Sequence, residues 1–172
     1  MREARFRHIV RQHTDYSCGA AALATILRYA YRLDADEATV IEGMMGVSDP
    51  DVVYERGFSL LDIKRYVESI GMRGRGYRVD EERLRSLRVP GIVLMDVSGF
   101  RHFVVLKQVH GETVEVADPM LGNRSVPIGE FMESWPSRAV FVVIGSDFDR
   151  NTVLLDPPSR PSAKSLYARQ GP

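Results

Sequence analysis

The amino-acid sequence predicts an α+β domain in which N-terminal helices pack on a C-terminal antiparallel sheet. Three observations carry this. Runs of strong helix formers with apolar faces fill residues 17–87. Short segments rich in Val, Ile and Phe, set off by Gly, Pro, Asn and Asp, fill residues 91–144. The hydrophobic period changes once along the chain, from helical to strand-like, so the two kinds of element are segregated and do not alternate.

The first eleven residues alternate loosely around Phe6 and Ile9 and read as an edge strand or extended arm. From Ser17 onward Ala20, Ala21, Leu23, Ala24, Ile26, Leu27, Tyr29 and Ala30 make a helix that is apolar nearly all round, and such a helix is buried. A second helix is expected over residues 36–45, ending at Gly46. Ser59 followed three residues later by Asp62 resembles a capping box. It opens a helix that places Leu60, Ile63, Val67 and Ile70 on one face and stops at Gly71. A short helix fits 80–87, ended before Pro90. Strands are expected at 91–97, 103–109, 113–117 and 139–144. Arg73, Arg75 and Arg78, interleaved with glycines, read as a polar loop, Gly122 as turn chemistry, and Trp135 as packing on a helix end. Met44 and Met45 read as core residues near a helix end.

A chain of 172 residues with 44% hydrophobic content builds one core of useful size. The domain is drawn as residues 1–146, and 147–172, with Pro157, Pro158, Pro161 and Pro172 among Ser and Arg, as a flexible tail. Lys and Arg number 23, as do Asp and Glu, which gives no electrostatic case for nucleic acid or an anionic membrane. No apolar run approaches the roughly 20 residues that span a bilayer. Residues 1–11 carry four arginines and no secretory apolar stretch. The single cysteine excludes an internal disulfide and every multi-cysteine zinc site. No phosphate loop, dinucleotide fingerprint or metal-ligand cluster is present, so neither cofactor nor metal is expected.

Cys18 stands where the buried helix begins. Free backbone N–H groups and the macrodipole at that point are expected to lower a thiol pKa. Gly19 leaves room for a substrate backbone to approach. The competing reading is an inert core cysteine. Four histidines are candidate bases: His8, His13, His102 and His110. His102 opens an apolar strand and Asp118 closes the next. If residues 110–112 form a three-residue hairpin loop, Asp118 faces Val104 and His102 is its diagonal neighbour on the same face. A one-residue slip would separate them. His13 is close to Cys18 in sequence but has no evident acid partner, and His110 reads as a turn residue. Gln12, six residues before Cys18, is a candidate oxyanion donor or an ordinary polar residue.

Gln12, then Cys18-Gly19 and an Ala-rich helix, His102 before an apolar strand, and Asp118-Pro119 after the next strand resemble the bacteriocin-processing leader peptidases over residues 10–144. That resemblance implies the papain-like cysteine peptidase fold and cleavage after glycine in a double-glycine leader or linker. Carried onto this sequence, it implies Cys18 as nucleophile, His102 as general base, Asp118 as the group orienting the imidazole and Gln12 as oxyanion donor. Two positions depart from the family's pattern: Ser17 stands where Asp is usual before the cysteine, and Ala20 where Pro is often found. Stand-alone relatives are encoded with secretion systems, including the bacterial functional-amyloid (Fap) system. The resemblance therefore implies a secreted peptide or protein substrate and a secretion-system partner, while charge balance and the lack of a long apolar run argue for no nucleic acid and no stable membrane insertion. It implies a periplasmic location if a signal peptide has been removed, and a cytoplasmic one otherwise. Two further classes stay open from the residues: a module that binds leaders or an exporter without cutting, and acyl transfer to an amine in preference to water.

Overall fold

The computed structural model describes residues 2–155. A short helix, α1 (Arg2–Arg5), stands where an extended arm was expected, and Phe6 and Ile9 beyond it pack on the core. Then come α2 (Cys18–Tyr31), α3 (Glu37–Met45), α4 (Pro50–Arg56) and α5 (Leu60–Ser69). β1 (Arg73–Arg78) and α6 (Glu81–Ser86) lead into β2 (Gly91–Val97), β3 (Phe100–His110), β4 (Thr113–Asp118) and β5 (Gly122–Pro127). α7 (Ile128–Glu133), β6 (Ala139–Ile144) and a 3-10 turn (Val153–Leu155) complete the described chain.

Local chemistry sets the helix starts. The Asp36 side chain accepts from Thr39 N–H and begins α3, and Asp49 with Pro50 begins α4. Ser59 and Asp62 form the reciprocal capping box of α5. In α5, Ile63 and Val67 are buried, whereas Ile70 is 41% exposed, because the helix ends one residue before it.

The six strands form one antiparallel sheet in the order β1-β6-β2-β3-β4-β5. On one face α2 lies against Ile92, Phe103, Val105, Ala117, Phe141 and Val143, with α3 and α5 completing the cluster. On the other, Val93, Val104, Leu106 and Val116 pack with Leu84 of α6, Phe131 of α7 and Trp135 beyond it. Trp135 packs on Phe131 of α7 with ring centroids 5.3 Å apart, as expected, and its Nε1 donates to the Ala139 carbonyl at 3.1 Å. Met44 is fully buried and Met45 half-buried. The arginine–glycine stretch expected as a loop is β1, an edge strand in which Gly74 admits Phe141 and Val67 while Arg73 and Arg75 face out. Of the tail drawn from residue 147, Thr152 donates to the Tyr29 carbonyl at 2.6 Å and Leu154 is buried on the α2 cluster, while residues 156–172 lie outside the described residues. No helix among the described residues is long and apolar enough to cross a membrane.

The β3–β4 register decides which face carries each polar group. The hairpin loop is Gly111-Glu112, two residues rather than three, and it pairs His110 with Thr113. That register alone would put Asp118 opposite Val105, on the face away from His102. A β-bulge between Leu106 and Gln108 inserts one residue and shifts the pairing to Leu106 with Val116 and Val105 with Ala117. Continued one step, it places Asp118 beside Val104. The expected facing is therefore present, but the bulge produces it.

Candidate active site

Cys18 is the first residue of α2 and is half-buried. Ala21 N–H bonds to the Ser17 carbonyl, so the N–H groups of Cys18 and Gly19 have no partner within the helix. Both reach the thiol, and so does the backbone N–H of Phe103, the residue that follows His102. Cys18 therefore sits where the start of α2 meets β3. The helix start was expected to lower the thiol pKa. Burial instead pushes it up, outweighing the amides of Phe103, Gly19 and Cys18, and the Asp118 charge adds to the rise. Burial thus disfavours the thiolate, and attack by this sulfur calls for a base to take its proton. Gly19 also differs from expectation: it is buried, and a Cβ there would lie 3.3 Å from the Phe103 ring. Its missing side chain serves close helix–sheet packing, not substrate approach.

His102 is the third residue of β3, opposite Met95, and not the strand's opening residue. A Ser98-Gly99 turn with positive φ at both residues (52° and 85°) lengthens the β2–β3 hairpin beyond it. Its ring is 6% exposed and packs on Phe100 with centroids 5.2 Å apart. Nε2 lies 2.9 Å from Asp118 Oδ2, while Nδ1 is buried without a partner. Asp118 is fully buried. Burial pushes its carboxyl up, but hydrogen bonds from His102, Met120 N–H and Leu121 N–H, with the His102 charge, hold it below the usual carboxylate range. Arg124 Nη1, 3.6 Å from the same Oδ2, adds a further positive charge. An ionised carboxylate only accepts, so Nε2–H donates in either charge state, and in the neutral imidazole Nδ1 presents its lone pair. Asp118 is also the turn opener, since its Oδ1 accepts from Met120 N–H at 2.8 Å and Leu121 N–H at 3.1 Å. Gly122, at φ +93°, closes that turn where Arg5 approaches too near for a Cβ.

The depressed Asp118 pKa has a consequence for stability. In the folded state the carboxyl binds its proton less readily than in the unfolded chain. Its contribution is complete above the unfolded value of about 4 and is lost as pH falls through the lower folded value. Calorimetry of the parent and of Asp118→Asn from pH 7 to pH 2 is expected to show the parent's advantage in Tm shrinking below about pH 4.

Gln12 lies on the loop before α2, tied to the other side of the site by its N–H on the Pro119 carbonyl at 3.1 Å. Its Nε2 donates one hydrogen to the Thr14 carbonyl at 3.2 Å, which leaves a second for another acceptor. His13 does have an acid partner: its Nδ1 is 3.1 Å from Glu37 Oε1, with the His13 side chain 74% exposed. His110 ends β3 half-buried, and His8 packs edge-on to Tyr29. Glu37, Arg124 and the Phe103 amide had no local signature in the sequence, since each meets the site only through packing of separate elements. Among the described residues no cluster of three or more His, Cys, Asp and Glu could hold a metal.

A thiol at a helix start, reached by the amide that follows a histidine whose Nε2 is bound to a carboxylate and whose Nδ1 is unpartnered, suits thiol acyl-transfer chemistry. The Peptidase C39 family model matches residues 7–146. The chain is 50% identical over 172 residues to the Probable functional amyloid protease FapD of Pseudomonas aeruginosa, spanning 100% of this chain and 76% of that one. To the protein of the same name from Pseudomonas fluorescens it is 48% identical over 165 residues, 96% of this chain and 73% of that one. Among solved structures it is similar to the double glycine motif protease of an AMS/PCAT transporter, solved in complex with the leader peptide. That likeness has a TM-score of 0.65 and 27% identity over 80% of this chain and 91% of the other. The peptidase domain of Streptococcus ComA matches with a TM-score of 0.68 at 18% identity, over 80% of this chain and 98% of that one, a likeness of fold.

Proposed function

From the premise that this chain belongs to the Peptidase C39 family and is a peptidase, we propose that it cleaves after glycine in a double-glycine leader or linker, using Cys18, His102 and Asp118. The single observation that carries the catalytic assignment is the buried His102–Asp118 pair with Nδ1 left without a partner, next in the chain to the amide that holds the Cys18 sulfur. The glycine preference rests on the double glycine motif protease that the fold resembles at 27% identity.

The steps follow from the geometry. His102 Nδ1 takes the thiol proton as the Cys18 sulfur attacks the scissile carbonyl. The C–S bond forms, and the carbonyl π electrons move to oxygen. The Cys18 N–H and the second N–H of the Gln12 amide hold that oxyanion, a type of contact worth roughly 2.7–4 kcal/mol of barrier per donor. When the intermediate collapses, the C–N bond breaks and His102 passes its proton to the leaving amine. A water then attacks the thioester, giving its proton to Nδ1, and the C–S bond breaks to return the thiol. Asp118 remains ionised throughout and stabilises the imidazolium. The substrate is a secreted protein of a functional-amyloid system, a reading supported by the two 48–50% identical relatives.

Cleavage of a peptide carrying Gly-Gly, compared with one in which the glycine before the cut is replaced by Val, tests this. The expected result is a fall in kcat/KM of roughly 100-fold or more, because a cleft shaped for glycine excludes a branched side chain. Equal cleavage of both peptides would remove the glycine assignment.

A further inference from the structure

The loop that carries Gln12 into Cys18 is closed by a carboxylate from another helix. Glu37, the first residue of α3, is 9% exposed. Its Oε2 accepts from the His13 backbone N–H at 2.8 Å and lies 2.8 Å from the Ser17 hydroxyl, and its Oε1 is 3.1 Å from His13 Nδ1. One side chain thus bridges both ends of residues 13–17. Ser17 is fully buried and immediately precedes the nucleophile. Its single hydroxyl proton has two acceptors in reach, Glu37 Oε2 and the Thr14 carbonyl at 3.0 Å, and the charged one makes the stronger bond.

The bonds form a chain leading to the site. Gln12 Nε2 rests on the Thr14 carbonyl, Thr14 N–H points to Ser17 Oγ at 3.3 Å, and Ser17 rests on Glu37. The two groups assigned to the oxyanion, the Gln12 amide and the Cys18 N–H, lie at either end of this clipped loop. Their spacing depends on the loop keeping one shape. A site that stabilises an oxyanion loses much of its effect when its donors are misplaced by a fraction of an ångström.

We propose that Glu37 is a positioning residue for acyl transfer: by clipping His13 to Ser17 it holds the Gln12 amide and the Cys18 N–H in register for the oxyanion. This rests on the peptidase reading above. It gives Ser17 a definite role as the hydroxyl through which the carboxylate reaches the residue before the nucleophile.

The test compares two reactions of the same sulfur. Peptide cleavage passes through an oxyanion; alkylation by iodoacetamide does not. In Glu37→Ala, kcat for a Gly-Gly peptide is expected to fall about 30-fold or more, a large part of the roughly 10²–10³ lost with a whole oxyanion donor, while KM and the alkylation rate stay within about twofold of the parent. Glu37→Gln keeps an oxygen for the His13 N–H and the Ser17 hydroxyl, so most of the activity is expected to return. If Glu37→Ala cleaves like the parent, if cleavage and alkylation fall together, or if Glu37→Gln is folded yet as impaired as Glu37→Ala, the positioning role is overturned. A parent protein no better than Cys18→Ala at cutting the peptide would overturn the peptidase reading itself, and this role with it; the two failures are distinguished by the parent's own rate.

Discussion

Replacement of Cys18 by alanine is expected to reduce peptide cleavage to background while the protein remains folded. No second thiol exists in the chain to take over the nucleophilic role. The substitution is gentle structurally, since it removes one half-buried sulfur at the first position of a 14-residue helix and installs the best helix former. A change of stability within about 1 kcal/mol, or a few degrees in Tm, is expected. Circular dichroism melts alongside a cleavage assay check both halves, and any substantial turnover by the folded variant removes Cys18 from the mechanism.

Asp118→Asn is expected to cost on the order of 10³–10⁴ in kcat, the scale seen when a catalytic histidine is forced into the wrong tautomer. An asparagine fits the space. Its carbonyl oxygen can keep the Met120 and Leu121 amides that now bond Oδ1. Its NH₂ then faces His102 Nε2 where a carboxylate oxygen now lies at 2.9 Å. Two donors cannot face each other, so Nε2 must offer its lone pair and the proton moves to Nδ1. The nitrogen assigned to receive the thiol proton is then already occupied. Asp118→Ala adds a stability penalty of about 3–5 kcal/mol, because a buried imidazole and two amides lose their acceptor. Measuring kcat and Tm for both variants separates the effects: Asn is expected to lose far more rate than its smaller stability penalty accounts for, whereas a structural staple would lose rate only in step with stability.

The α+β class, the helices α2, α3 and α5 and the strands β2, β3, β4 and β6 were legible in the sequence because each buries apolar residues at its own period. Helix α6, which buries only Leu84, was legible from the Pro90 that it ends before. The missed strands, β1 and β5, are the two edges of the sheet. Edges carry charged and small residues to prevent further pairing, so RGRGYR and GNRSVP have no strand pattern. α4 did carry a readable start in Asp49-Pro50, but its seven residues bury only Val53, too little for a periodic signal.

Within the site, chemistry was easier to read than distance. Cys18, His102, Asp118 and Gln12 were all named from residue type, spacing and family likeness. The loop length assumed for the His102–Asp118 facing was one residue too long, and the bulge between Leu106 and Gln108 supplied the missing residue. A bulge has no short-range signature, since its residue belongs to the same apolar strand on either side. The fall expected for the thiol pKa differs from the rise the structure gives, because a helix start is local, whereas the burial that outweighs it comes from tertiary packing of α2 on the core. Glu37 and Arg124 reach the site from α3 and β5, and only tertiary packing brings them there.

The most direct test of the central assignment is to trap the acyl-enzyme. The protein is mixed with a Gly-Gly peptide, quenched in acid within the first turnovers, digested, and the fragment containing Cys18 weighed by mass spectrometry. The expected result is that fragment carrying the N-terminal product as a thioester, ending in glycine, with the adduct absent from Cys18→Ala. Product formation with the same yield in Cys18→Ala, or an adduct on a residue other than Cys18, would contradict the account.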